Sequence, residues 1–532
     1  MDTAKTSVLI VGGGLAGLSA AVFLAWRGIP VVLVERHPGS SPHPRAVGFT
    51  TRTMELYRAV GLGPQIPQLP SGWGRPRRLK VESLAGEWAS DEVPWTPPDP
   101  TRQAATKIEY SPCTGAALAQ DRLEPILRTK AIELGADVRL STSLLAFEQD
   151  GDGVTASLRA CDGSEYSLRA DYLVAADGHS SAIRQALRIE RSGRGSIQTL
   201  RSVLFRAPLD RYLESGVSQF DIDQPDFKAM LTTYRDGRWL LIFSDDQERD
   251  ESTLKAMVTR AIGRSDMDIE IVTTGRWELG ALIADRFSSG RAFLIGDAAH
   301  MLPPSRGGYG ANTGIEDAHN LAWKLASVLS GASTPALLDT YDAERRPIAW
   351  LRHGQIFNRP DYARVARPND KDVPLIEDAA MELGQLYRSS AVLGAGDELP
   401  PAMRPDQWAG QPGTRAPHVW ITTNGVRSST LDLVQPDWVL LTEDDRWRAA
   451  VATCVDELRL KLTCVTIESA SASIDAADRR EFRAAFGLGS TGASLVRPDG
   501  YVAWRSIDLP ADPSSLLLSV MEQVASMRSI ER

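Results

Sequence analysis

Two groups of residues in this 532-residue chain have the types and spacing to grip one extended dinucleotide. The first is Gly12-Gly13-Gly14-Leu15-Ala16-Gly17; the second, far downstream, is Gly296-Asp297-Ala298-Ala299-His300. Gly12 permits a tight turn after a strand, Gly14 lets the backbone approach a pyrophosphate, and Gly17 lets the next helix sit close on the sheet. Leu15 and Ala16 open that helix, whose unpaired amides carry about half a positive charge toward the phosphates. Glu35, 18 residues after Gly17, ends the next apolar strand, where a carboxylate bonds adenosine ribose hydroxyls; Arg36 follows it. Asp297 stands after the apolar run Ala292–Ile295 and the glycine that caps it, so its carboxylate points into the ligand crevice and accepts from sugar hydroxyls. A lone G-x-G-x-x-G is weak evidence. The pair, in this order, describes a pyrophosphate held at one end and a ribityl sugar at the other, which is what FAD demands.

The residues after His300 suit a flat ring. Pro303-Pro304 fix a loop, and Gly307-Gly308-Tyr309-Gly310 strip it of side chains. A helix opening near Ala311-Asn312 aims its positive end back at that loop. There it stabilises negative charge on a reduced flavin without an ionisable side chain. Pro304, Gly310, Ala311 and Asn312 are therefore expected at the cofactor. Glu316 and Asp317, in the first turns, complement the helix dipole and are expected to be structural. A second fingerprint, Gly487-Leu488-Gly489-Ser490-Thr491-Gly492, precedes a strand instead of joining strand to helix, and reads as a loop. NAD(P)H, if used, must bind transiently and without its own Rossmann unit.

These residues need an α/β scaffold. Ser7–Val11, Leu15–Arg27 and Pro30–Val34 read as strand, helix and strand, which argues against an export signal or membrane span in the apolar stretch 7–26. Val154–Leu158 and Tyr166–Leu168 alternate as a hairpin around Asp162-Gly163. From about 197 to 285 strand-like runs dominate, as in an antiparallel sheet inserted to wall a substrate cavity. The α/β pattern returns at Ala292, residues 340–396 read as largely helical, and 397–417 is rich in Pro and Gly. A small α/β unit follows. The expected boundaries are 1–190 with 286–396 for the FAD-binding domain, 191–285 for the substrate sheet, 397–417 for a linker and 418–532 for the last unit.

Composition excludes other classes. The net charge is -9 and no Lys/Arg-rich run occurs, so a nucleic-acid partner has no electrostatic footprint. The 4 cysteines are scattered, with no C-x-x-C and no metal-ligand spacing. That fits a reduced, cytoplasmic chain without disulfides, protein-bound metal or membrane partner.

Nearly the whole chain resembles the single-component FAD-dependent aromatic hydroxylases, above all the branch acting on polycyclic polyketides of tetracenomycin, anthracycline and tetracycline type. Pro44-Arg45-Ala46 with Arg52–Leu56 is similar to the family's arginine segment beside the flavin. Gln120 is similar to its flavin-contacting glutamine, and Ala176-Asp177-Gly178 with Ser181 and Arg184 to the motif tied to FAD and NAD(P)H. Gly296–His300, then Asn312-Thr313-Gly314 and Asp317–Leu325, are similar to its third motif. The resemblance implies a Rossmann-like FAD domain of glutathione-reductase type, an inserted β-sheet domain and a thioredoxin-like C-terminal domain. Lacking C-x-x-C, that last domain is expected to serve packing or dimerisation, in a monomer or homodimer. The implied reaction is reduction of FAD by NAD(P)H, formation of a flavin C4a-hydroperoxide, and oxygen transfer to an electron-rich small-molecule ring.

One departure stands out: Arg306 looks like an insertion in the loop between Pro304 and Asn312. It could bind an anionic substrate, alter flavin mobility or face solvent. No residue announces itself as a catalytic base. The pocket candidates are Arg306, Tyr309, Tyr234, Trp239, Phe243, Arg364 and Arg367, with Arg359 and Tyr362 in the same helical region; taken singly, aromatic strand residues usually just pack. The competing reading is a non-redox cyclase, decalin-forming by [4+2] addition, that resembles these hydroxylases but uses FAD structurally. A third is a flavin-binding partner subunit without turnover.

Overall fold

The computed structural model describes residues 4–70, 77–94, 108–304, 309–359, 362, 365, 367, 374–423, 426–434, 436–467 and 476–527. Val31–Val34 is buried at every position, as is the second half of Ala4–Val11. Such runs belong to a parallel sheet covered on both faces. Ala4–Val11 pairs in parallel with Val31–Val34 on one side and Glu165–Ala175 on the other, which in turn pairs in parallel with Ala292–Leu294. Asp137–Arg139 extends the sheet beyond Val31–Val34. The expected hairpin forms in register, Leu158 opposite Tyr166 and Ala156 opposite Leu168.

The helix Leu15–Trp26 is buried almost all round, because it lies between this sheet and the long helix Tyr309–Leu329. Its small residues Ala20 and Ala21 let both neighbours approach. The ends of Ala4–Val11, Glu165–Ala175 and Ala292–Leu294 therefore open together, at the crevice where α/β proteins bind ligands.

The second sheet has eight strands, in the order His300–Met301, Glu270–Ala284, Arg191–Arg206, Arg238–Phe243, Phe227–Thr233, Val217–Gln224, Arg77–Val81 and Trp88–Glu92. It is wider than residues 191–285, since it recruits Arg77–Val81 and Trp88–Glu92 from earlier in the chain and His300–Met301 from the flavin side. The helix Glu251–Ile262 covers one face; Asp250 caps it by accepting from Thr253 N at 2.7 Å, and Gly263 ends it in the left-handed region.

Residues 340–396 are less helical than expected. Ala336–Phe357 is a helix and Asp378–Leu383 a short one, but 384–396 is irregular. Main-chain bonds to distant segments replace helical bonding there: Tyr387 N donates to Gly413 O and Leu393 N to Ala503 O. The stretch 397–417 is a packed connection. Trp408 is buried with Nε1 donating to Gly384 O at 2.7 Å, and Arg415 Nη2 reaches Tyr110 O at 2.7 Å. The C-terminal unit has a four-stranded sheet of Leu462–Thr466, Trp438–Thr442, Ala493–Val496 and Val502–Ser506, backed by Trp447–Leu458 and Pro513–Val524. The second fingerprint is a loop here, Gly492 lying so close to the backbone of Ser506 and Ile507 that no side chain fits. All four cysteines are free thiols.

Candidate active site

Gly12 takes φ +111°, and a Cβ there would lie 2.2 Å from Ala176 O. A Cβ on Gly17 would lie 1.9 Å from Gly12 O. Both glycines are thus demanded by close backbone approach, between the first turn and the Ala176-Asp177 turn beside it. Around Gly14 the nearest atom to such a Cβ is Glu124 Oε1, at 3.9 Å, so space remains on the ligand side. Glu35 reaches across to the same turn: its Oε2 accepts from Gly13 N at 2.6 Å and its Oε1 from His37 N at 2.8 Å. Each oxygen retains acceptor capacity for a ribose hydroxyl. Arg36 is exposed and donates to His37.

The downstream group meets the upstream one. Gly296 takes φ +57°, and a Cβ there would lie 2.9 Å from the Cβ of Ala16 and 3.7 Å from Gly314 Cα. Asp297 is the one residue from Ala292 to His300 that keeps partial exposure, just past the end of the strand Ala292–Leu294. Asp177 Oδ2 accepts from Ile183 N at 3.2 Å, while its Oδ1 is buried without a hydrogen-bond partner among the described residues. Arg184 spans the two turns, donating to Ala298 O at 3.0 Å and His179 O at 3.2 Å. Gln120 Oε1 accepts from Arg45 N at 3.3 Å and Ala46 N at 3.4 Å, and its Nε2 donates to Glu124 Oε1 at 2.7 Å. Burial raises the Glu124 carboxyl above the ordinary range.

The Asn312 side chain is held by the protein itself. Its Oδ1 accepts from Thr50 N at 3.0 Å and Thr53 Oγ1 at 2.6 Å, and its Nδ2 donates to Gly48 O at 3.2 Å. The side chain pins the arginine segment to the helix, so it is main-chain N–H groups of Gly310, Ala311 and Asn312 that the first turn offers a ligand. Two helix N-termini, two strand-end carboxylates and an unsatisfied Asp177 oxygen together fit FAD laid from Gly12 to Gly310.

The substrate sheet has two unlike faces. Trp239 and Leu241 are wholly covered at 0%, while Leu240 and Ile242 keep 6% and 8% exposure. Trp239 and Phe243 belong to the core beneath Glu251–Ile262, with Phe205, Phe220 and Val258. They are therefore not pocket walls: strand alternation turns them away from the crevice. The opposite face carries Leu200, Leu204, Leu240, Ile242, Met230, Tyr234, Trp277 and Leu279. Tyr234 OH donates to Pro44 O at 2.6 Å, tying this face to the arginine segment.

Tyr309 is buried, accepting from Arg359 Nη2 at 3.2 Å, so it is a packing partner more than an open lining residue. Arg367 is exposed; Arg306 and Arg364 lie outside the described residues. Sequence reasoning missed His43. Its Nε2 lies 2.8 Å from Ser202 Oγ, and Gly275 makes room, since a Cβ there would sit 2.7 Å from that nitrogen. Burial lowers the His43 pKa below its ordinary 6.5, favouring the neutral ring. Its one sequence signal was adjacency to Pro44-Arg45.

A dinucleotide crevice closed by a distant loop and walled by an antiparallel sheet defines a class of flavoprotein. The chain belongs to the FAD-binding aromatic-ring hydroxylases: residues 5–353 match the FAD binding domain family and residues 409–524 the aromatic-ring hydroxylase C-terminal family. It is an FAD-dependent monooxygenase. Among its relatives, the 4-methyl-5-nitrocatechol 5-monooxygenase of a Burkholderia species is 39% identical, over 98% of this chain and 97% of that one. The tetracenomycin A2 monooxygenase-dioxygenase of Streptomyces glaucescens is 38% identical, over 99% and 98%. The crystal structure of aklavinone-11 hydroxylase with FAD and aklavinone superimposes with a TM-score of 0.86 at 37% identity, covering 99% of this chain and 100% of that one.

Proposed function

We propose that this enzyme hydroxylates a multi-ring phenolic substrate of polyketide type, using NAD(P)H and dioxygen. The observation that carries this reading is the apolar face of the second sheet. Its apolar side chains come from four neighbouring strands: Trp277 and Leu279, Leu200 and Leu204, Leu240 and Ile242, and Met230. At about 4.8 Å per strand that is roughly 14 Å of wall, enough for several fused rings. One relative acts on a nitrocatechol, a single ring, and would leave much of such a wall uncovered.

Bound FAD, held by Gly12–Gly17, Glu35, Asp177 and Gly296–Asp297, would supply transfer of one oxygen atom from dioxygen. The chain's own residues orient and desolvate the ring between the sheet and the Pro44 segment. Arg359 is buried, and its Nε and Nη1 have no hydrogen-bond partner among the described residues. It lies 3.5 Å from Asp378 and retains donors for a phenolate. His43, neutral and bonded to Ser202, can accept a phenol proton.

The test is to incubate holoenzyme with a linear tetracyclic phenol or a substituted catechol, with and without NAD(P)H, and to weigh the products. Expected is NAD(P)H oxidation stimulated by the tetracycle and a product heavier by one oxygen atom. Preference for the catechol would overturn the substrate class. Turnover without NAD(P)H to a product of unchanged mass would favour the cyclase reading.

A further inference from the structure

Asp317 looks like an ordinary dipole-complementing acid near a helix start, yet it is completely buried. Its Oδ2 accepts from Gly296 N at 3.2 Å and from His300 Nε2 at 2.6 Å. Those are the two ends of the Gly296–His300 loop, closed by one carboxylate oxygen. The other oxygen accepts from Arg345 Nε at 2.7 Å. A helix dipole needs none of these partners. A loop that must hold one fixed shape does, because Gly296 sits in the left-handed region and Asp297 is its one partly exposed residue.

Arg345, itself fully buried, carries the connection onward. It donates to Thr313 O and Glu316 Oε2, each at 3.2 Å, and to Tyr387 OH at 2.7 Å. The Tyr387 ring stacks on Tyr501 of the C-terminal unit, with centroids 4.1 Å apart and planes 12° apart. Tyr501 follows the Arg497-Pro498-Asp499-Gly500 turn. There Arg497 bonds Glu344 at 2.6 and 2.9 Å, and Trp323 Nε1 donates to Asp499 Oδ2 at 3.1 Å.

We propose that Asp317 is a positioning residue for the flavin, fixing the Gly296–His300 loop so that Asp297 meets the cofactor, and that Arg345 and Tyr387 make the C-terminal unit part of the flavin cradle. The C-terminal unit, without a redox motif, then acts as a static brace for cofactor binding. The proposal rests on FAD being the cofactor, and wild-type binding is the control for that reading.

The experiment titrates apoprotein with FAD, following flavin fluorescence, for wild type, Asp317→Asn, His300→Gln and Tyr387→Phe. Far-UV circular dichroism and apoprotein melting temperature are measured alongside, and the flavin midpoint potential in each holoprotein. A lost charge-assisted hydrogen bond corresponds to roughly tenfold to a hundredfold in affinity. Asp317→Asn is expected to weaken FAD binding by about tenfold or more and to shift the potential. Tyr387→Phe, remote from the cofactor, is expected to weaken it about threefold. His300→Gln, which keeps a donor, should bind more tightly than Asp317→Asn. If Asp317→Asn does not fold, Tyr387→Phe and His300→Gln carry the test. Unchanged FAD affinity and potential in the folded variants, with only a lower melting temperature, would overturn the proposal. Failure of wild-type apoprotein to bind FAD would instead overturn the cofactor reading.

Discussion

Ala16 and Gly296 touch: a Cβ added to Gly296 would lie 2.9 Å from the Cβ of Ala16, although 280 residues separate them in the chain. A Cβ on Gly314 would in turn lie 2.8 Å from Gly296 Cα and 3.2 Å from the Cβ of Ala16. One small-residue contact thus joins the pyrophosphate turn, the ribityl loop and the helix that faces the flavin ring. The crevice can be no wider than these three positions permit.

Replacing that glycine should be costly at the cofactor. Gly296→Ala places an L-residue at φ +57°, worth about 1–2 kcal/mol, and adds the clash with Ala16. The expected outcome is a clear loss of FAD retention on gel filtration, larger than the loss of apoprotein helicity. Full retention of FAD would show that the loop has room to shift.

The two faces of the second sheet should respond differently to truncation. Trp239→Ala empties a core site beneath Glu251–Ile262 and should cost about 3–5 kcal/mol of stability, read by urea unfolding. Ile242→Ala, on the crevice face, should cost less than this. Its main effect should be a higher KM for the aromatic substrate. Equal stability losses at the two positions would mean that the crevice face is also closed core.

Acid should loosen the molecule through two buried carboxylates. Burial alone would raise Glu344, but the charges of Arg497 and Lys324 hold it well below its ordinary 4.5. Asp317, against the same desolvation, is held below 3.8 by His300 and Arg345. Both therefore bind protons more readily in the unfolded chain. Their stabilisation is complete above about pH 4.5 and declines as pH falls toward the folded-state values. Glu344→Gln strands Lys324 and Arg497, each within 2.9 Å of it. It should lower stability by roughly 3–5 kcal/mol at neutral pH and flatten the acid limb of a melting-temperature profile. An unaltered acid limb would place the titration elsewhere.

Substituting His43 tests its part in proton handling. His43→Gln keeps a side chain able to bond Ser202 but removes a base. The expected result is a kcat lower by about tenfold or more, a small change in KM, and a shifted pH–rate profile. A wild-type profile would reduce His43 to a tie between the arginine segment and the sheet.

Much of the scaffold was legible in the residues. Glycine spacing, unbroken apolar runs and the Asp162-Gly163 turn report local backbone needs, so the first strand-turn-helix, the hairpin at that turn and the loop character of Gly487–Gly492 could be read directly. Which face of Trp239–Phe243 meets the ligand could not. Alternation says that neighbours oppose each other, but only the helix Glu251–Ile262 lying on one side says which parity is core. The partners of the Asn312 side chain were not legible for a related reason: Thr50 and Thr53, more than 250 residues away, hold it.

By itself the sequence determined that a dinucleotide is gripped at both ends, because those grips are made of glycines and strand-end acids whose roles depend on their immediate neighbours. The tertiary structure decided what steadies the grip. Asp317 clamps the loop, Arg345 and Tyr387 carry that clamp to Tyr501, and His43 meets Ser202. Each of these depends on burial and on contacts between distant segments. A charged or polar side chain becomes a clamp only where the fold removes water and supplies its partner.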